Sequence, residues 1–340
     1  MVDPAASLDA SSFDPDELRS QHMLLLPEGT EAQDVEALVV TRHPESTWDP
    51  DGALRFGRHT TLVGPIVMDA VTAALVDAPA GWPLAYTLRA PVEREDPPMP
   101  GTSDPEGLFR AFRDGMPTRA EARSVQLLLA VARRLGGAVR IAGSGVVLRP
   151  DPSARVDLMV HSPYWLEPQT LLGVVQQHEP QARLALDRAD WHGPPVGIID
   201  EPPDEASLEL TVEQRAVLHA RADQFDAEAL AEGDAVDGYG IVADLGPDGR
   251  YGNLDVVVYG QEEKVPALAG LEWADRVVTY EVHWNPPEED QLWLEHPNSE
   301  HVAARSVAST AIGLVASAVV EAADGILLDS DGFIVDRYDL

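Results

Sequence analysis

Cysteine is absent from the 340-residue chain. Disulfides, thiol nucleophiles and thiolate metal sites are therefore excluded. Lysine is nearly absent too: Lys264 stands alone, and arginine supplies every other basic side chain. Basic runs are missing; the densest spots, Arg133-Arg134 and the pair Arg55 and Arg58, hold two arginines each. A nucleic-acid binder normally shows a basic stripe, because phosphate contacts supply most non-specific affinity. The N-terminus has neither a basic segment nor an apolar segment after it, so it does not read as a signal peptide. The longest weakly polar stretch, residues 302–320, is mostly Ala, Ser, Thr and Val and contains Arg305. It reads as a buried helix rather than a membrane span. A cytoplasmic protein with no nucleic-acid and no membrane partner is the expectation.

What the chain has in excess is acid. Asp and Glu number 58 against 24 Lys and Arg, a formal charge of −34, while 44% of residues are hydrophobic. The apolar share is ample for a sizeable core and argues against wholesale disorder. Such charge speaks of solubility and cellular setting. With abundant Ala, Gly, Pro, Val and Asp, it suggests a high-GC genome or a salt-adapted proteome. A basic protein partner is also compatible with it.

The pattern along the chain predicts an α+β fold with an internally duplicated unit. Residues 1–22 read as a tail with one short helix capped by Asp14-Pro15. A first α/β unit spans 23–152. It opens on Met23-Leu24-Leu25-Leu26 and a strand-like Ala37-Leu38-Val39-Val40. A helix near 66–76, the strand 84–88 and a Pro- and acid-rich loop follow. A helix then begins at Thr118-x-x-Glu121, a capping-box spacing, with Val125, Leu128, Leu129, Ala132 and Leu135 on one stripe. A hairpin through Gly143-Ser144-Gly145 closes the unit. A second α/β unit, 237–340, repeats this order: strands, a short helix near 267–274, the strand 277–282, an acid-rich loop, a helix and a hairpin through Asp331-Gly332. Ala304-Arg305-Ser306-Val307 matches Ala122-Arg123-Ser124-Val125. Between the units, 153–236 reads as an extra βαβ-like segment followed by a Pro-rich linker and a helix from Thr211 to about Phe225.

Motifs of known chemistry are missing. There is no glycine-rich phosphate loop, no Gly-x-Ser-x-Gly turn and no His-Glu-x-x-His. His296 and His301 lie five apart, which puts them on different faces of a helix, so a loop is favoured over a metal site. Asp329-Ser330-Asp331-Gly332 begins like a calcium loop but lacks the later ligands, so a hairpin turn is favoured. His59-Thr60-Thr61-Leu62 resembles half of a two-histidine phosphoesterase site, but His161-Ser162-Pro163-Tyr164 does not supply the other half. Polar and aromatic residues concentrate in His161, Tyr164, Trp165 and Glu167, and again in His283 and Trp284. These six are the candidate binding surface, weighed against ordinary packing. No catalytic residue, cofactor or metal is assigned. The expected function is a non-enzymatic binding or accessory module, with a protein as its partner. The alternatives are a hydrolase-like enzyme with a dispersed site and an acidic inhibitor that covers a basic surface.

Overall fold

The computed structural model describes residues 8–50, 52–79, 81–99, 103–185, 238–261 and 263–338. The expected linker and the helix from Thr211 lie outside the described residues. The fold is α+β, built on two sheets that are antiparallel except where β1 runs parallel to β5, with helices packed against them.

The first lobe contains β1 (Leu8–Asp9), α1 (Pro15–Arg19), β2 (His22–Leu26), α2 (Ala32–Arg42), β3 (Thr47–Trp48), β4 (Ala53–Gly57), β5 (Thr60–Val67) and α3 (Ala70–Leu75). It continues with β6 (Leu84–Arg89), α4 (Leu108–Ala111), α5 (Arg119–Leu135), β7 (Ala138–Arg140) and β8 (Val147–Leu148). Its strands are ordered β3-β4-β5-β6-β2-β7-β8, with β1 beside β5. The second lobe contains β9 (Leu158–Ser162), α6 (Pro168–Val175), β10 (Arg183–Leu184), β11 (Gly238–Asp244), β12 (Asn253–Gln261), β13 (Val277–Asn285), α7 (Ser299–Ala323) and β14 (Ile326–Asp329). Its order is β10-β11-β12-β13-β9-β14.

Six strands of the first order, β3-β4-β5-β6-β2-β7, match β10-β11-β12-β13-β9-β14 of the second, while β1 and β8 have no counterpart among the described residues. Leu24 of β2 pairs with Tyr86 on one side and Val139 on the other, as Val160 of β9 pairs with Tyr280 and Leu327. Val35 and Val39 of α2 and Leu171 and Val175 of α6 are buried at the same four-residue spacing, which sets one helical face on the sheet. Helices α5 and α7 both end in a left-handed residue, Gly136 (φ 66°) and Asp324 (φ 46°). In each, the next amide returns to the helix: Gly137 N–H to the Ala132 carbonyl at 2.7 Å, Gly325 N–H to the Val320 carbonyl at 3.1 Å. These are helix-ending bonds that satisfy orphan carbonyls. Both glycines then pass close to the central strand. A Cβ would lie 2.3 Å from the Leu25 carbonyl oxygen at Gly137 and 3.0 Å from that of His161 at Gly325.

This architecture redraws several expectations. The strand–helix–strand order expected after residue 153 is present as β9, α6 and β10. The segment supplies β9 to the interior of the second sheet, antiparallel to β13 and β14, while β10 lies at the opposite edge. The second sheet therefore begins at Leu158, not near residue 237. The Ala-Arg-Ser-Val match does not mark equivalent positions: Val125 lies 11 residues before Gly136, the left-handed residue that ends α5, and Val307 lies 17 before Asp324, its counterpart in α7. Residues 37–40 lie within α2; a short apolar run fits a strand or one helical face equally well. The expected helix at 66–76 starts as the end of β5 and turns helical only at Ala70. Near 267–274 only a 3-10 turn, Pro266–Leu268, forms.

The Thr118–Glu121 capping box is also absent. The Thr118 side chain makes no cap bond. Glu121 turns inward instead, where Oε1 accepts from Arg94 at 2.6 Å and meets His22 Nε2 at 2.9 Å, and Oε2 accepts from the Glu93 amide. Burial pushes the Glu121 carboxyl up, but these bonds outweigh it and hold it below the usual range. The Glu93 carboxylate then caps the helix by accepting from the Ala120 amide at 2.9 Å.

Candidate functional site

The lobes meet through a side chain and a charge network. Phe333, just past β14, is fully buried in the core of the first lobe with Leu24, Val39, Leu128 and Leu129. The Arg42 guanidinium lies 6.0 Å from its ring centre. The turn that carries Phe333 also carries Asp331, which is bound by Arg133 of α5 and, at 2.6 Å, by Arg155 of the segment that joins β8 to β9. Glu106 completes the square, with Arg133 at 2.5 Å and Arg155 at 3.1 Å. Two carboxylates thus neutralise two guanidinium groups where the lobes touch; Arg133 is buried, and a charge so placed persists only when paired.

A cleft of about 740 Å³ opens beside this network. Its floor comes from the segment between β8 and β9, including Arg149, Asp151, Arg155 and Asp157. One wall is the first two turns of α7, where His301, Val302 and Arg305 share a face at helical spacing. The opposite rim is the loop with Leu292, Trp293, Leu294, Glu295 and His296. Trp293 is 58% exposed, and Leu292 and Leu294 are exposed beside it. The first lobe holds this loop through Ser103, which donates to the Trp293 carbonyl, and through Arg110, 2.6 Å from Glu295.

The cleft's carboxylates are engaged. Arg305 donates to Asp151 at 2.6 Å and to the Ser153 hydroxyl. Burial pushes the Asp151 carboxyl up, but the bonds from Ser153 and Arg305 outweigh it and leave it below the usual range. Asp157 accepts from the Trp284 amide at 2.9 Å, while burial drives its carboxyl upward. His301 is 4% exposed, stacks at a tilt 5.0 Å from Trp284, and is pushed down by burial and by Arg305. Its Nδ1 is buried without a hydrogen-bond partner, as are Arg133 Nε and Ser330 Oγ, all on cleft-lining residues.

The six residues singled out from sequence do not form one surface. His161, inside β9, bonds the Thr279 hydroxyl at 3.0 Å, and burial pushes it down to about 4. His283 lies four residues beyond Thr279 along β13, 3.8 Å from Asp255. Trp284 points to the other face of that sheet, where it lines the cleft and donates to the Tyr251 carbonyl. Tyr164 and Trp165 are exposed, and Glu167 stands just before α6 as its N-cap residue. Their segment is held by the Tyr280 hydroxyl, which donates to the Tyr164 carbonyl and accepts from the Leu166 amide. Trp165 meets Tyr239 edge-on at 5.4 Å. Only Trp284 of the six lines the cleft.

Arg133, Arg155, Glu106, Asp331 and Arg305 escaped a reading of sequence because their partners lie from 27 to 198 residues away, beyond any local pattern. Asp331-Gly332 was legible as a turn, but not as the anchor between lobes. Among the described residues no group of His, Asp and Glu is arranged to hold a metal ion. One described helix, α7, is long and apolar enough to cross a membrane by length and composition; its Ala308, Ile312, Val315 and Val319 lie in the core of the second lobe. No protein-family model, curated protein or solved structure matches the chain.

Proposed function

We propose that the chain is a non-enzymatic binding module made of two copies of one unit, and that it holds a segment of a partner protein in the cleft between its lobes. The observation that carries this reading is the cleft itself. It joins an exposed Trp293 with flanking leucines to a wall of arginines, in a concavity large enough for several side chains. Aromatic and arginine side chains around a concave site favour recognition. Ser330 is the only hydroxyl side chain among the described cleft residues, and no base bonds to it, which disfavours nucleophilic catalysis. The corresponding strand orders support two copies of one unit. A cytoplasmic setting, away from nucleic acid and membranes, belongs to the same reading and rests on the charge of −34.

Selection from a phage-displayed library of random twelve-residue peptides tests it. Enriched peptides that bind the wild type and bind Trp293→Ala at least tenfold more weakly are expected. No enrichment, or equal binding to both proteins, would defeat the reading.

A further inference from the structure

The geometry points to a carboxylate carried on an apolar group, either a chain terminus or a small amphiphilic acid, as the ligand of the inter-lobe cleft. This rests on the binding-module reading and deepens it.

The first argument is the balance of charge inside the cleft. Glu106 is shared by Arg133 and Arg155, Asp151 is held by Arg305, and Glu295 by Arg110. Asp157 takes a backbone amide. Arg149 has no carboxylate partner among the described residues; its guanidinium lies 4.7 Å from the Trp82 ring centre. An arginine laid on an aromatic face keeps its planar edge free for bidentate capture of a carboxylate. Four arginines and four carboxylates line the cleft, and Arg149 is the one of these guanidinium groups without a carboxylate partner among the described residues.

The second argument is the set of unpartnered polar atoms. Buried polar groups are nearly always hydrogen-bonded, so a cluster of exceptions calls for a missing partner. His301 Nδ1, Arg133 Nε and Ser330 Oγ come from three separate parts of the chain, yet all belong to residues lining this one cleft. Arg133 Nε is a donor and a hydroxyl donates readily, so an acceptor-rich group suits them. His301 also stands in the first turn of the 25-residue α7, where aligned backbone dipoles favour an anion.

The third argument sets the rest of the ligand. Leu292, Trp293, Leu294, Val302 and Val156 line the cleft beside the cations, so a bare anion would leave this apolar surface uncovered. A carboxylate with one or two apolar side chains covers it. Long-range repulsion from the acidic surface falls away within about 8 Å at physiological salt, which leaves the local cations to select the anion.

Calorimetric titration of the full chain with N-acetyl-Leu-Phe, as the free acid and as the C-terminal amide, tests this. The acid is expected to bind at least tenfold more tightly than the amide, and Arg149→Gln should cut that preference below threefold. A parallel titration with 4-phenylbutyrate separates the sources. Binding comparable to the dipeptide acid assigns a small amphiphilic acid, and binding by the dipeptide alone assigns a chain terminus. Equal affinity for acid and amide, no binding of either at millimolar concentration, or a preference that survives Arg149→Gln overturns the carboxylate assignment. Library peptides that depend on Trp293 would still stand in that case, so the two readings fail separately.

Discussion

Helices α5 and α7 lie on corresponding sheets and end with the same left-handed turn, yet they meet different surroundings. In α5 every residue from 127 to 133 is buried, on all sides of the helix. In α7 the sheet-facing line of Ala308, Ile312, Val315 and Val319 is buried, while Val302, Val307 and Leu314 are exposed. The difference comes from outside α5. The turn of the second lobe lays Phe333 and Asp331 over the first lobe's helices, and nothing corresponding covers α7 among the described residues. Equal topology therefore does not fix burial; what an outer face touches depends on which lobe follows it in the chain.

The same comparison runs through the sheets. Leu25 and Ala85 are apolar and buried in the first lobe. At the corresponding register in the second lobe stand His161 and Thr279, buried and hydrogen-bonded to each other. One lobe relies on hydrophobic burial at this place. The other keeps a polar pair, which burial tolerates only while the imidazole is neutral.

Four substitutions break or sharpen this comparison. The largest effect is expected from Phe333→Ala, which empties a site in the first lobe's core from a residue of the second. Loss of about 3–5 kcal/mol is expected, and melting followed by both fluorescence and circular dichroism should separate into two transitions as the lobes uncouple. A single transition shifted by less than about 1 kcal/mol would mean that Phe333 does not join them.

Next come the helices themselves. Leu128→Ala in α5 should cost about 2–5 kcal/mol through lost transfer energy and the cavity left behind. Leu314→Ala on the outer face of α7 should stay within about 0.5 kcal/mol. Denaturant melts of the two variants check this, and equal losses would erase the contrast between the helices.

The smallest effect concerns acid. His161 is held down to about 4 when folded, against roughly 6.5 when unfolded. Between these values the unfolded chain binds the extra proton, so stability rises with pH. The contribution is complete above about pH 6.5 and is lost as pH falls toward 4, up to roughly 3 kcal/mol. His161→Leu, which restores the apolar residue type of the first lobe, should flatten the stability profile between pH 7 and 5. An unchanged slope would place the acid sensitivity elsewhere, at His301 or His43, both of which burial also pushes down.

Much of the local structure was legible in sequence. Asp14 caps α1 as expected, its carboxylate accepting from the Asp16 amide at 2.9 Å. Val125, Leu128, Leu129 and Ala132 form the buried stripe of α5, and both terminal turns fall at the glycines that mark them. Misreadings arose where a local signal competed with a distant partner. Glu121 has ideal capping-box spacing, but His22 and Arg94 draw it into the interior, and Glu93 supplies the cap from another segment. The candidate site fared worse, because adjacent residues on a strand such as His283 and Trp284 face opposite sides of the sheet.

By itself, the sequence determined what depends on neighbours along the chain: which stretches bury one face, where helices stop, where hairpins turn, and that no thiol chemistry is possible without cysteine. Only the tertiary structure decided which strand lies beside which, because backbone hydrogen bonds between strands carry no sequence label. That is how β9, far from β13 in the chain, came to sit between β13 and β14. Tertiary structure also decided that Arg133, Arg155, Glu106 and Asp331 meet. Charge attraction falls with distance in space rather than along the chain, and an arginine's partner is whichever carboxylate folding brings within reach.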